Sequence, residues 1–115
     1  MIERKFENNL MSQMVSFGKV IETAGQVSDD LSLDLKGQTE NVLQKINQLL
    51  AEVGANPSHL TRIQIWMKDI SYFEEMNQVY EQWLLGHAKP VRACVESKLA
   101  DERYLIEIQA FAYLD

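Results

Sequence analysis

Cysteine and histidine are scarce in this chain of 115 residues: there is one Cys, Cys94, and two His, His59 and His87. A single thiol excludes an intramolecular disulfide framework, and with two imidazoles it falls short of a Cys/His zinc site. The acidic spacing of a calcium loop and the glycine-rich cradle of a phosphate site are both missing, so no metal and no other cofactor is expected. Glycine and proline are few, at five and two, which excludes collagen-like and low-complexity structure. The longest apolar run, Ala110 to Leu114, is far short of the ~20 residues needed to span a bilayer, and no membrane contact is expected. Charges in Met1-Ile2-Glu3-Arg4-Lys5-Phe6-Glu7 occupy the place where a signal peptide needs its apolar region, so a cytoplasmic location is expected. Basic charge is also in deficit, with 11 Lys plus Arg against 17 Asp plus Glu and a net charge of −6. A protein gripping phosphate backbones shows the opposite balance or a basic stripe. Here the nearest cluster, Arg4-Lys5, is flanked by Glu3 and Glu7, which argues against nucleic acid as a partner.

What is present is ordinary globular usage, 46% hydrophobic and 24% charged, and the length fits one domain over residues 1–115. Two segments carry helical periodicity. Val42, Leu43, Ile46, Leu49, Leu50 and Val53 share one face of a 3.6 repeat, with Gly54 placed for a left-handed cap and Pro57 blocking continuation. A second helix is expected to open with Ser71 and Glu74 as a capping box. Its stripe is Phe73, Met76, Val79, Tyr80, Trp83 and Leu84, and Gly86 closes it. The remaining segments alternate with period two. Met11–Phe17 and Lys19–Ala24 read as a hairpin about Gly18, Thr61–Lys68 as a further strand, and Arg92–Lys98 with Tyr104–Leu114 as a closing pair. A short strand within Ile2–Asn8 completes the order β-β-β-α-β-α-β-β, an α+β domain with both helices on one face of a mixed sheet. Two helices cannot cover both faces. In the last strand Ile106, Ile108, Ala110, Ala112 and Leu114 form an apolar face, whereas Leu105, Glu107, Gln109, Phe111 and Tyr113 form a mixed one. Such a face is a subunit interface, a ligand cleft, or both.

Within Pro90-Val91-Arg92-Ala93-Cys94-Val95-Glu96, the Arg92 guanidinium offers a planar fork that meets a carboxylate with two parallel hydrogen bonds. Glu107 lies between Ile106 and Ile108, where desolvation raises a carboxyl pKa towards values useful for proton transfer. The plainer alternative is a structural ion pair between the two. Cys94 lacks a neighbouring base in sequence and reads as core or pocket wall rather than nucleophile. His87 reads as a solvated loop residue or pocket rim, and Trp66 and Trp83 as core or interface. Thr23-Ala24-Gly25-Gln26 ends a strand either where a ligand or another backbone approaches closely or in a plain turn.

Pro90-Val91-Arg92-Ala93-Cys94-Val95, Leu99-Ala100 and Ile106-Glu107-Ile108 together resemble the C-terminal signature of the RidA (YjgF) family. Thr23-Ala24-Gly25-Gln26 is similar to the family's early strand ending in Gly-Gln. Gln38-Thr39, Asn41-Val42-Leu43 and Ile46 are similar to its first helix, and Phe73, Met76-Asn77, Tyr80 and Trp83 to its second. The likeness runs from about Gly18 to Ala112. It implies a chorismate-mutase-like fold assembled as a homotrimer with ligand clefts between subunits. It also implies hydrolysis of reactive 2-imino acids such as 2-iminobutanoate and 2-iminopropanoate, with their enamine tautomers, to 2-oxo acids and ammonia. By that resemblance Arg92 holds the substrate carboxylate, groups at Ala93 and Cys94 position the imine end, and Glu107 orients the attacking water. Ala24, Gly25 and Asn77 complete the substrate-binding set. Many relatives have Ser at Ala24 and an aromatic residue near Met11, both lining the cleft, so the resemblance does not carry over substrate preference or efficient turnover. Some family members are described as translation inhibitors or ribonucleases, a role the acidic charge disfavours here, and a further alternative is a non-catalytic trimer that binds small carboxylates as a sensor or regulator.

Overall fold

The alternating segments become a single sheet. In the computed structural model, which describes residues 1–115, its strands are β1 (Ile2–Lys5), β2 (Met14–Phe17), β3 (Val20–Thr23), β4 (Leu60–Met67), β5 (Val91–Glu96) and β6 (Ile106–Tyr113). They lie in the order β1-β2-β3-β6-β4-β5. Helices α1 (Leu35–Ala51) and α2 (Phe73–Trp83) give the element order β-β-β-α-β-α-β-β of an α+β fold. Only β4 and β5 are parallel, joined by the crossover through α2, and every other pair is antiparallel. No helix is long and apolar enough to cross a membrane.

Both helices lie against one face, where they bury the inward side chains of the central strands. Ile63, Ile65 and Met67 of β4, with Ile106, Ile108, Ala110 and Ala112 of β6, meet Val42, Leu43, Ile46 and Leu50 of α1 and Met76 of α2 in one core. The stripe read from α1 is thus its buried face. Asp34 caps the helix by accepting from the Gly37 amide at 2.9 Å. At the other end Ala55 N–H donates to the Leu50 carbonyl (2.9 Å) and Gly54 N–H to that of Ala51 (3.1 Å), a Schellman pattern that holds Gly54 at φ +76°.

Two expectations need correction. No capping box opens α2. Asp69 instead accepts from Ser71 N–H at 2.9 Å, and a 3-10 turn at Ile70–Tyr72 leads into the helix, whose Tyr72 cap makes no side-chain bond. Nor do the last two strands pair with each other. β5 lies on the outer edge of β4, and β6 runs between β3 and β4. The burial of each strand gives the reason: Ile106 and Ile108 are wholly buried and need a central position, whereas Val91 and Val95 are exposed and tolerate an edge.

Replacing wholly buried Ile108 by Ala should cost about 2–5 kcal/mol of stability through lost burial and the cavity left behind. Gly54→Ala meets no steric obstacle, so it should cost only the left-handed penalty of about 1 kcal/mol. Urea denaturation of both variants checks the ranking, and equal losses would contradict it.

Candidate active site

Arg92 enters β5 opposite Ile63 of β4, on the helix-covered side of the sheet. Its Nη1 donates to Asn77 Oδ1 at 2.7 Å. The guanidinium lies 4.9 Å from the ring centroid of Tyr80 and 5.4 Å from that of Phe73. Phe73, Asn77 and Tyr80 fall at i, i+4 and i+7 of α2, so one helical face supplies the whole cradle. All three partners are neutral. The two ion pairs of the protein, Lys45–Asp29 and Arg103–Asp101, leave Arg92 out. A partly buried cation is thus held by an amide and two aromatic faces, with no carboxylate against it. Beside it is a cavity of about 440 Å³ bordered by Glu74, Asn77, Tyr80, Glu81, Lys89 and Arg92.

Cys94 follows two residues later on the same side. Burial pushes its thiol pKa up, opposed only partly by the Arg92 charge. A nucleophile needs the reverse, and the side chain packs against the hydrophobic core. Ala93 points to the other side and is exposed.

Glu107 occupies the opposite face. In β6 it pairs with Trp66 of β4, between inward-facing Ile106 and Ile108. Burial raises its carboxyl pKa above the ordinary glutamate value, with no nearby cation to oppose the shift. Its close neighbour is backbone: a Cβ added to Gly25 would overlap the Glu107 carboxylate. Gly25 is held there by the bonds on either side of it. Gln26 and Ile108 exchange both backbone hydrogen bonds, at 2.8 and 3.0 Å, and Ala24 N–H donates to the Gln13 carbonyl at 2.8 Å. The glycine therefore marks a close approach rather than a plain turn.

The expected residues thus form two groups. Arg92, Cys94 and Asn77 gather under α2, while Glu107, Gly25 and Ala24 gather on and beside the uncovered face. β4 separates β5 from β6, so no Arg92–Glu107 ion pair forms within the chain. Phe73 and Tyr80 were legible as a helical stripe, but their work as the floor under Arg92 was not. The two remaining candidates are structural. His87 Nδ1 is 2.6 Å from Ser58 Oγ, tying together the turns that precede β4 and β5. Trp83 Nε1 donates to Asn47 Oδ1 at 3.0 Å and pins α2 to α1. No cluster of His, Cys, Asp and Glu could hold a metal ion.

Comparison with known proteins identifies the family and its fold. The family model described as Endoribonuclease L-PSP matches residues 6–114. A RutC family protein of Pyrococcus abyssi is 34% identical over 108 residues, covering 89% of this chain and 84% of its own length. A RutC family protein of Haemophilus influenzae is 32% identical over 112 residues, covering 96% and 97%. Among solved structures, an uncharacterized protein from Pseudomonas aeruginosa superposes with a TM-score of 0.96 at 30% identity over the whole of both chains. A YjgF family member from Neisseria meningitidis does so at 0.94 and 29%, covering 100% of this chain and 96% of that one. On the span of the family model and the identity of these relatives, the chain belongs to the RidA (YjgF) family.

Proposed function

We propose that this protein hydrolyses 2-imino acids, and the enamines in equilibrium with them, to 2-oxo acids and ammonia, in clefts between the subunits of a homotrimer. The observation that carries this reading is Arg92: a partly buried guanidinium with only neutral partners and a cavity beside it. A fork held this way is set to receive a small carboxylate. An imine carbon is already electrophilic, so positioning and proton transfer suffice for the chemistry. With the carboxylate on Arg92, water adds to the imine carbon as Glu107 takes one of its protons, giving a carbinolamine. Glu107 then returns that proton to the nitrogen. Glu107 next takes the hydroxyl proton and passes it to the same nitrogen as the C–N bond breaks, and ammonia leaves with the 2-oxo acid behind it.

Support for shared clefts comes from the placement of the two groups. Arg92 and Glu107 are on opposite faces of one protomer, so a cleft containing both takes them from different copies. The face carrying Glu107 is also the one the helices leave uncovered, with Trp66, Phe111, Val95 and Tyr113 on it. Apolar exposure of that kind fits burial against another subunit.

Arg92→Ala should lose both binding of a 2-oxo acid and turnover, and Arg92→Lys should recover little, because an ammonium lacks the two-pronged geometry. Glu107→Gln should still bind while turnover falls by about 10²–10⁴-fold. Ammonia release from an imine generated in situ, with calorimetric binding of pyruvate, separates these effects. Pyruvate bound normally without any turnover by the unaltered protein would favour the regulatory role instead.

Mixing tests the shared cleft. Arg92→Ala and Glu107→Gln proteins, each inactive, should regain part of the activity when unfolded together and refolded as mixed trimers. Light scattering should give about three times the chain mass. Continued inactivity of a demonstrated mixed trimer would show that no cleft combines Arg92 of one copy with Glu107 of another and would overturn the shared-site reading.

The pH profile carries a further expectation. Glu107 acts as an ionised base and burial raises its pKa, so kcat/KM should fall on the acid side through a value above that of an ordinary glutamate. An acid limb at or below the ordinary value would remove Glu107 from the base role.

A further inference from the structure

The Tyr80 hydroxyl is the one buried side-chain polar atom of the protein without a hydrogen-bond partner. Tyr80 is 8% exposed, and its ring lies under Arg92 at 4.9 Å and against Trp83 at 5.9 Å between centroids. A Phe would serve both contacts equally well and would bury no hydroxyl. Leaving a buried hydroxyl unpaired is destabilising, so packing alone does not account for the oxygen. Tyr80 also borders the cavity that Arg92 and Asn77 border.

We propose that the Tyr80 hydroxyl is a ligand-binding group, donating a hydrogen bond to the carboxylate that Arg92 grips and so completing a three-residue site with Arg92 and Asn77. This rests on the carboxylate role given to Arg92 above. Asn77 uses its Oδ1 on Arg92, which leaves its amide hydrogens for the same ligand. In the free protomer the hydroxyl is closed off from water and the guanidinium lies over the ring. On this proposal the guanidinium therefore shifts on carboxylate binding and gives the ligand access to the hydroxyl. Burial pushes the phenol pKa up, which keeps the group a neutral donor. The ligand class is a small 2-oxo or 2-imino acid, its carboxylate inward and its side chain towards the mouth of the cavity.

The test is calorimetric titration of pyruvate into the unaltered protein and Tyr80→Phe, with thermal melts and steady-state kinetics on both. The expected result is a Tyr80→Phe protein that melts at or above the temperature of the unaltered one. It should bind pyruvate about tenfold more weakly, the loss typical of a hydrogen bond to a charged group, and show the change in KM more than in kcat. Unchanged affinity in Tyr80→Phe, with the unaltered protein binding normally, overturns the role of the hydroxyl and leaves that of Arg92 standing. A lowered melting temperature shows that the hydroxyl has a structural partner and overturns it as well. Failure of the unaltered protein to bind pyruvate removes the carboxylate site itself, and the flat control titration identifies that outcome.

Discussion

Strand β6 is hydrogen-bonded along both edges, to β3 on one side and β4 on the other, and its register governs the rest of the molecule. Alternate residues go to opposite faces of a strand. With Ile106, Ile108, Ala110 and Ala112 inward, the core under the helices is set, and Glu107, Gln109 and Phe111 must point the other way. A slip of one residue would exchange the two sets. The same strand recruits the chain beyond β3: because Gln26 pairs with Ile108, Gly25 arrives where the Glu107 carboxylate needs space. Core and candidate base are therefore products of a single register.

The two charged groups of interest are handled by different means. Arg92 is accommodated by aromatic faces and an amide oxygen, which are favourable surroundings for a guanidinium. Glu107 has no comparable compensation, and burial against backbone shifts its equilibrium towards the neutral acid. Elsewhere buried polar groups are well satisfied. Gln38 donates to the Leu33 and Arg103 carbonyls and accepts from Leu105 N–H, and Thr23 Oγ1 accepts from Ala110 N–H. Against that background the unmatched cation, the desolvated carboxylate and the orphan phenol stand apart, because each lacks a partner that the single chain does not supply.

Much of this was legible in the sequence, for physical reasons. Periodicity found both helices and the strands because each buries a definite stripe or face, and Gly54 was readable because only a left-handed end needs it there. Adjacency was readable for the hairpin about Gly18 but not for the last two strands. Nothing in Arg92–Lys98 and Tyr104–Leu114 distinguishes a hairpin from two strands separated by a third, since pairing depends on the crossover through α2 and on relative burial. The start of α2 was misread because Asp69 and Ser71 both offer cap chemistry, and local competition between them is settled by the turn. Arg92 and Glu107 were identifiable by residue type and setting. Their separation onto opposite faces was hidden, because it depends on which of two alternations faces the helices in each of two non-adjacent strands. Tyr80 was visible as an apolar stripe position, but an unmet hydrogen bond is a property of three-dimensional surroundings.

Under the proposed shared cleft, division of the two groups between faces makes abundance matter. Where each working unit is drawn from two copies, the number of units follows mass action rather than the number of chains synthesised. A cell holding the protein well above its assembly constant would have activity in proportion to expression. Below that point activity would fall off more steeply than the protein does, so a halved gene dose could remove more than half of the function.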